Sequence, residues 1–158
     1  MHDAQRVFRF YQSTFAYVYK RFQGEFGGLK PFIVREVQGE RAKNTGSNAL
    51  LRTEGMYAWG AAPFGFASDM RFTVAQVGPG FSNIQFGRPS GIYTDRQDGR
   101  YYERQLQQAL SSGRQIMAIE TWNELGEASG ISETVEFGRQ YIKLTRRYAD
   151  RFKAGLGQ

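Results

Sequence analysis

Glu120, Glu124 and Glu127 follow one another closely, with Trp122 and Asn123 among them. Two carboxylates three residues apart, as in Glu124 and Glu127, can face the same way on a helical turn or in a tight loop. Such a pair suits general acid/base work on an acetal. One carboxyl protonates the leaving oxygen, and the other acts as base or nucleophile. Trp122 offers a flat apolar face of the kind sugar rings pack on, and Asn123 can hold a hydroxyl. The same spacing also occurs on solvated helices. Three carboxylates can hold Ca²⁺ or Mg²⁺, but the flanking Asp/Asn/Gly loop of a calcium site is missing. No metal and no other cofactor is therefore expected.

The elements that must position these residues are legible on both sides. Ile116-Met117-Ala118-Ile119 is a short apolar run that reads as a buried strand, and Glu120 ends it. A Gly/Ser-rich turn follows the acids. Ser132 or Thr134 then opens a helix to about Ala154, with Phe137, Tyr141, Leu144, Tyr148 and Phe152 as its buried stripe. Glu133 and Glu136 would sit in its first turn, where they complement the helix dipole. A strand ending in acids, an aromatic and an amide, then a loop and a helix, is the layout of a βα unit with a site at the strand's C-terminal end.

Upstream, Asp3 can cap a helix to about Gln23, with Val7, Phe8, Tyr11, Phe15, Val18, Tyr19 and Phe22 on one stripe. Lys30 to Val37 reads as a strand, with Pro31 near its start. Gln38 to Asn48 reads as a loop. Gly55 to Gly60 and Arg71 to Val77 read as two more strands, joined by a loop from Ala61 to Asp69. Gly78 to Asn83 is a turn cluster, and Ile84 to Arg96 is irregular. A helix starts at Asp98-Gly99, runs through Tyr102, Leu106 and Leu110, and stops at Gly113. Strands alternate with helices, so the class is α/β with a mainly parallel sheet of about four strands.

The chain has 158 residues, room for one domain, here taken as residues 1–158. There is no cysteine, which excludes disulfides and thiolate metal sites. His2 is the only histidine, so histidine-based triads are not expected. The formal charge is +6, but Lys and Arg are spread along the chain and no basic–aromatic stripe forms. That pattern reads as a solvated basic surface rather than a nucleic-acid face. No apolar run approaches the ~20 residues of a membrane span. The N-terminus, MHDAQRVFRF, lacks a charged-then-apolar signal pattern, and the compartment stays open.

The stretch Trp122-Asn123-Glu124-Leu125-Gly126-Glu127, continued to Gly138, resembles a signature near the C-terminus of glycoside hydrolase family 99 and its relatives. That signature reads Trp-Asn-Glu-Trp-His-Glu-Gly-Thr-x-Ile-Glu-Pro-Ser-x-Glu-Tyr-Gly. Trp122, Asn123, Glu124, Glu127, Ile131, Glu136 and Gly138 match it. Val77-Gly78-Pro79-Gly80-Phe81 is similar to the family's Pro-Gly-Phe-Asp strand end. Arg96 to Tyr102 is similar to its Arg-x-x-Gly-x-x-Tyr segment, and Glu54 to Trp59 to its Asp-Gly-x-Tyr-x-Tyr strand. The motifs fall in the family's order over roughly residues 50–153.

The resemblance implies a (β/α)₈ barrel acting on α-mannose-containing glycans, retaining configuration through an anhydro-sugar intermediate with no metal in the chemistry. It implies Glu124 as the base at the sugar 2-hydroxyl and Glu127 as the general acid/base at the glycosidic oxygen. Trp122, Asn123, Glu120, Tyr57, Trp59, Arg96 and Tyr102 would bind substrate. The family's Trp-His between the acids is Leu125-Gly126 here, and its Glu-Pro is Ser132-Glu133. A barrel needs eight strands and typically ~250 residues, so this chain would be its C-terminal half. The expected partners are an oligosaccharide or polysaccharide and either an N-terminal half-barrel or a second copy. The alternative is a carbohydrate-binding or interaction module that kept the fold without turnover.

Overall fold

The computed structural model describes residues 12–36, 53–87 and 90–155. Its first helix, α1, is Gln12–Glu25, followed by β1 (Val34–Glu36), β2 (Gly55–Tyr57) and a short helix α2 (Ala61–Phe64). Next come β3 (Val74–Val77), β4 (Phe81–Ser82) and β5 (Tyr93–Thr94), then α3 (Arg100–Ser111), β4 and β5 forming a small hairpin. Strand β6 (Ile116–Ile119) and helix α4 (Gln140–Gly155) complete the chain. The class is mixed helix and strand, with short parallel pairs.

Two parallel pairs carry the architecture. Strand β1 lies beside β2, with Val34 opposite Gly55 and Glu36 opposite Tyr57. Strand β3 lies beside β6, with Val74 opposite Ile116 and Val77 opposite Ile119. The Thr73 N–H donates to the Met56 carbonyl at 2.9 Å and joins β3 to β2. A parallel pair needs a crossover, and α3 supplies it between β3 and β6.

Period-two alternation sends Ala75 and Val77 of β3 to the same side as Met117 and Ile119 of β6. That side packs on α3 and α4 through Tyr102, Leu106, Ala109, Tyr141 and Tyr148, all buried. Gln105, also buried, ties α3 to the end of β3. Its amide accepts from Gly78 N–H at 3.2 Å and donates to Gly78 O at 2.8 Å. Gly78 then meets α2 at close range. A Cβ built on it would stand 2.5 Å from Ala62 Cα and 2.6 Å from Ala62 N.

Several expectations change. The paired strands are shorter than the apolar runs, because β1 begins at Val34 and β3 at Val74. Ala61 to Asp69 is not all loop, since α2 occupies its start. Within Ile84 to Arg96, β5 returns to pair with β4. Helix α4 starts at Gln140, not at Ser132 or Thr134. Thr134 to Gly138 closes on itself instead. The Gly138 N–H donates to Thr134 O at 2.8 Å, and Thr134 Oγ1 accepts from Phe137 N–H at 3.1 Å. Thr134 thus caps a tight turn, and Glu133 and Glu136 precede the helix rather than lying in its first turn.

Helix α1 buries no residue fully, and Val18 of its expected stripe is 40% exposed. Val7, Phe8 and Tyr11 of that stripe, and the Gln38 to Asn48 loop, lie outside the described residues. Among the described residues no helix is long and apolar enough to cross a membrane.

Candidate functional site

The acids stand at the C-terminal end of β6, on a loop that holds its own shape. Glu120 N–H still donates to Val77 O at 2.8 Å, extending the β3 pairing by one residue. The chain then folds back. Thr121 N–H donates to Ser129 O at 3.0 Å, and Ile131 N–H to Trp122 O at 2.9 Å. Inside the loop, Ser129 N–H donates to Glu124 O at 3.1 Å, and Thr121 Oγ1 accepts from Glu124 N–H at 3.1 Å. Leu125–Glu127 form a single 3₁₀ turn, with Glu124 at its N-cap and Ala128 in the left-handed region at its end.

This geometry brings Trp122, Asn123, Glu124 and Glu127 onto one loop. Trp122 is 60% exposed, Asn123 and Glu124 are exposed, and Glu127 is half-buried. Neither acid lines the cavity along the start of α4 or the one between the β4–β5 hairpin and the Thr134–Gly138 turn. No group of three or more His, Cys, Asp or Glu among those residues has a metal-holding arrangement.

Glu120 differs from its neighbours. It is 1% exposed. Its carboxylate accepts from Gly60 N–H at 2.9 and 3.0 Å, one bond to each oxygen, and from Ala62 N–H at 3.2 Å. It therefore joins the ends of β6 and β2 beneath the loop. Tyr57 and Trp59 come from that β2 end. Tyr57 is half-buried, and burial first, then the charges of Glu36 and Glu120, raise its phenol pKa. The Trp59 N–H donates to Glu36 Oε1 at 3.3 Å, while its ring is 44% exposed.

Arg96 supports the loop from behind. Its Nη2 donates to Ala128 O and Gly130 O, both at 2.8 Å. Its guanidinium lies 4.8 Å from the Phe137 ring centre and 4.6 Å from that of Tyr141. Gly80 permits this approach, since a Cβ there would stand 2.8 Å from Arg96 Cγ. In front, Gln85 Nε2 donates to Gly126 O. Substituting Arg96 with Met is expected to strip both carbonyls of their donor and destabilise the protein by about 1.5–3 kcal/mol, the usual range for charged hydrogen bonds. Arg96→Lys should recover only part, because an ammonium lacks the planar fork. Amide hydrogen exchange across residues 121–132 checks this, and unchanged protection in Arg96→Met would refute it.

Tyr102 is not brought to the loop. It is 0% exposed in the core, its hydroxyl 2.9 Å from Thr145 Oγ1, and burial pushes its pKa up to about 12. Glu36 was missed by the sequence reading. The strand expected there runs on to Val37, so the sequence does not single Glu36 out, whereas in the structure it ends β1. Gln76 was missed as well. It is 2% exposed on the side of β3 facing away from α3 and α4, and neither amide atom has a hydrogen-bond partner.

Among solved structures, the fold is similar to a GH99 endo-alpha-mannosidase from Bacteroides thetaiotaomicron in complex with bis-tris propane. The TM-score is 0.60 at 18% identity, over 79% of this chain and 48% of that one. Another structure of the GH99 endo-alpha-mannosidase from the same organism gives 0.52 at 20% identity, over 65% and 39%. At these identities the likeness is one of fold. The chain thus spans less than half the length of either. No curated protein matches the chain. The model of the family described as a domain of unknown function, DUF5010, matches residues 10–156, and the chain belongs to that family.

Proposed function

We propose that this chain is a glycan-directed, glycoside hydrolase-like domain in which Glu124 and Glu127 form the working carboxylate pair. The observation that carries the reading is the β6 unit. A half-buried strand runs into a buried acid and then into a braced loop presenting Trp122, Asn123 and both acids, within a fold similar to GH99 endo-alpha-mannosidases. Glu124 then takes the proton of the sugar 2-hydroxyl, which attacks the anomeric carbon to give an anhydro-sugar. Glu127 protonates the departing glycosidic oxygen and later deprotonates the water that opens the intermediate. Tyr57 and Trp59 flank the same strand ends, and α-mannose-containing chains are the first substrates to try. In the active assembly, Glu124→Gln and Glu127→Gln should each lower turnover by about 10²–10⁴-fold, the usual range for an acid/base group. Wild-type-like turnover in both variants would refute the assignment.

The runner-up reading is a binding module without turnover. It is favoured by the exposure of Glu124 and by Leu125-Gly126 standing between the acids. Saturable glycan binding with no released product, in wild type and both variants alike, would establish it.

The reading extends to completeness. Strands β1, β2, β3 and β6 would be consecutive strands in the C-terminal half of a (β/α)₈ barrel. Among the described residues, no further strand is paired to β1 beyond β2 or to β6 beyond β3. Four strands cannot close a barrel, and unpaired edges are templates for another chain. Covering such a face is worth roughly 25 cal/mol per Å², so several hundred Å² of it favours association. The isolated chain should self-associate or pair with a second half-barrel, and show little hydrolysis alone. Analytical ultracentrifugation over a concentration series, beside an α-mannoside assay, tests this. A stable and fully active monomer would overturn it.

A further inference from the structure

Phe86 reaches the acid loop from the β4–β5 hairpin. A 3₁₀ turn has about three residues per turn, so Glu124 and Glu127 fall on one face and Leu125 and Gly126 on its two flanks. On the Gly126 flank, a Cβ would stand 3.4 Å from Phe86 Cζ, an ordinary contact distance. That contact is made by the tip of the ring and leaves the ring faces to other partners. Among the described residues no aromatic ring or cation stacks on them, and Phe86 is 53% exposed. We propose that Phe86 is a specificity-determining residue, the platform for the sugar that departs when Glu127 protonates the glycosidic oxygen. The inference rests on the glycan reading above.

The ring is fixed in place by the backbone and polar bonds around it. Ile84–Phe86 form a 3₁₀ turn between β4 and β5. Phe86 N–H donates to Asn83 O at 3.2 Å, and Gly87, left-handed at a φ of 64°, closes the turn with its N–H on Ile84 O at 3.0 Å. Asn83 is buried, and its Oδ1 accepts from Ile92 N–H at 2.6 Å. Gln85, the neighbour of Phe86, donates through Nε2 to Ser82 O at 2.9 Å and to Gly126 O. One side chain therefore ties the turn to the acid loop, and Phe86 cannot drift from the acids without breaking these bonds. A ring already held in position loses little freedom when a ligand packs on it.

Position along the loop selects which sugar the ring serves. Gly126 immediately precedes Glu127, the acid assigned to the departing oxygen, whereas Trp122 precedes Glu124, the base assigned to the 2-hydroxyl. Phe86 thus stands on the leaving-group side of the pair, and Trp122, 60% exposed, on the side of the sugar under attack. The apolar C–H face of a pyranose covers a ring face of this kind while its hydroxyls stay in water. A ring that makes no polar bond holds the departing sugar by its face and does not select among its hydroxyls, so this platform discriminates by the presence of a second ring rather than by its substituents.

The test is an amide-resolved NMR titration of the whole chain with α-linked mannobiose, and separately with methyl α-D-mannopyranoside, which lacks the second ring. Mannobiose should give saturable shifts at Phe86, Gly126 and Glu127, beyond those both sugars give from Trp122 to Glu124. Phe86→Leu keeps an apolar contact with Gly126 but removes the ring face. It should weaken mannobiose by about fivefold to tenfold and leave the methyl mannoside unchanged. Phe86→Trp restores a ring face and should recover the affinity for mannobiose. Equal mannobiose affinity in wild type and Phe86→Leu would make Phe86 a brace for the loop and overturn the platform. An equal loss for both sugars would overturn it too, since the ring would not then read the departing sugar. Saturable shifts from Trp122 to Glu124 with none at Phe86 or Gly126 would sink the platform and leave the glycan reading standing. No saturable shift with either sugar would sink both.

Discussion

Glu120→Ala is expected to lower the free energy of unfolding by about 3–5 kcal/mol, the range for removing one partner of a buried charged network. The Glu120 carboxylate is 1% exposed and accepts from Gly60 and Ala62. Alanine leaves both N–H groups buried without an acceptor and leaves a cavity as well. A small domain is stable by only about 5–15 kcal/mol, so the variant should be close to unfolding at room temperature. Glu120→Gln keeps the shape and one acceptor oxygen, and should cost roughly a third as much. Urea unfolding of both variants is the measurement. A loss below about 1 kcal/mol in Glu120→Ala would mean that the β6–β2 junction is held by something other than this carboxylate.

The second large effect is expected at Gly78→Ala. A Cβ there would fall 2.5–2.7 Å from Ala62 Cα, N and Cβ. Two of those are backbone atoms, so no side-chain rotation relieves the clash. Either α2 moves or the end of β3 does, and the second option breaks the paired bonds to Gln105. Overpacking of this kind costs about 1–3 kcal/mol, and the backbone contact puts Gly78→Ala at the top of that range. Ala62 is also a donor to Glu120, so the two substitutions share a partner. Their combined cost should be less than the sum, because the first already displaces α2. Strict additivity in the double variant would show that the two sites act independently.

The four parallel-paired strands, the long helices and the acid-bearing loop were legible because their signals are local. The apolar run from Ile116 to Ile119 is a strand, and Tyr102, Leu106, Tyr141 and Tyr148 recur at helical spacing on the buried faces of α3 and α4. Trp122, Asn123, Glu124 and Glu127 share one loop because they are near neighbours in the chain.

Other features depend on contacts between distant segments, which periodicity does not encode. Tyr102 stood in a motif resembling a sugar site, yet it points into the core, because the α3 face that carries it meets α4. Thr134 has the chemistry of a helix cap, but a bond from Gly138 N–H back to Thr134 O closes a turn first and delays α4 to Gln140. Glu120, Glu124 and Glu127 are the same residue type on one short stretch. Burial under Gly60 and Ala62 makes the first a structural tie, while the other two keep access to solvent. Residue type and spacing determined which groups could do chemistry here. The distance of each from a segment some 60 residues away decided which of them are free to do it, because a carboxylate already bonded to buried backbone N–H groups is held in place by them.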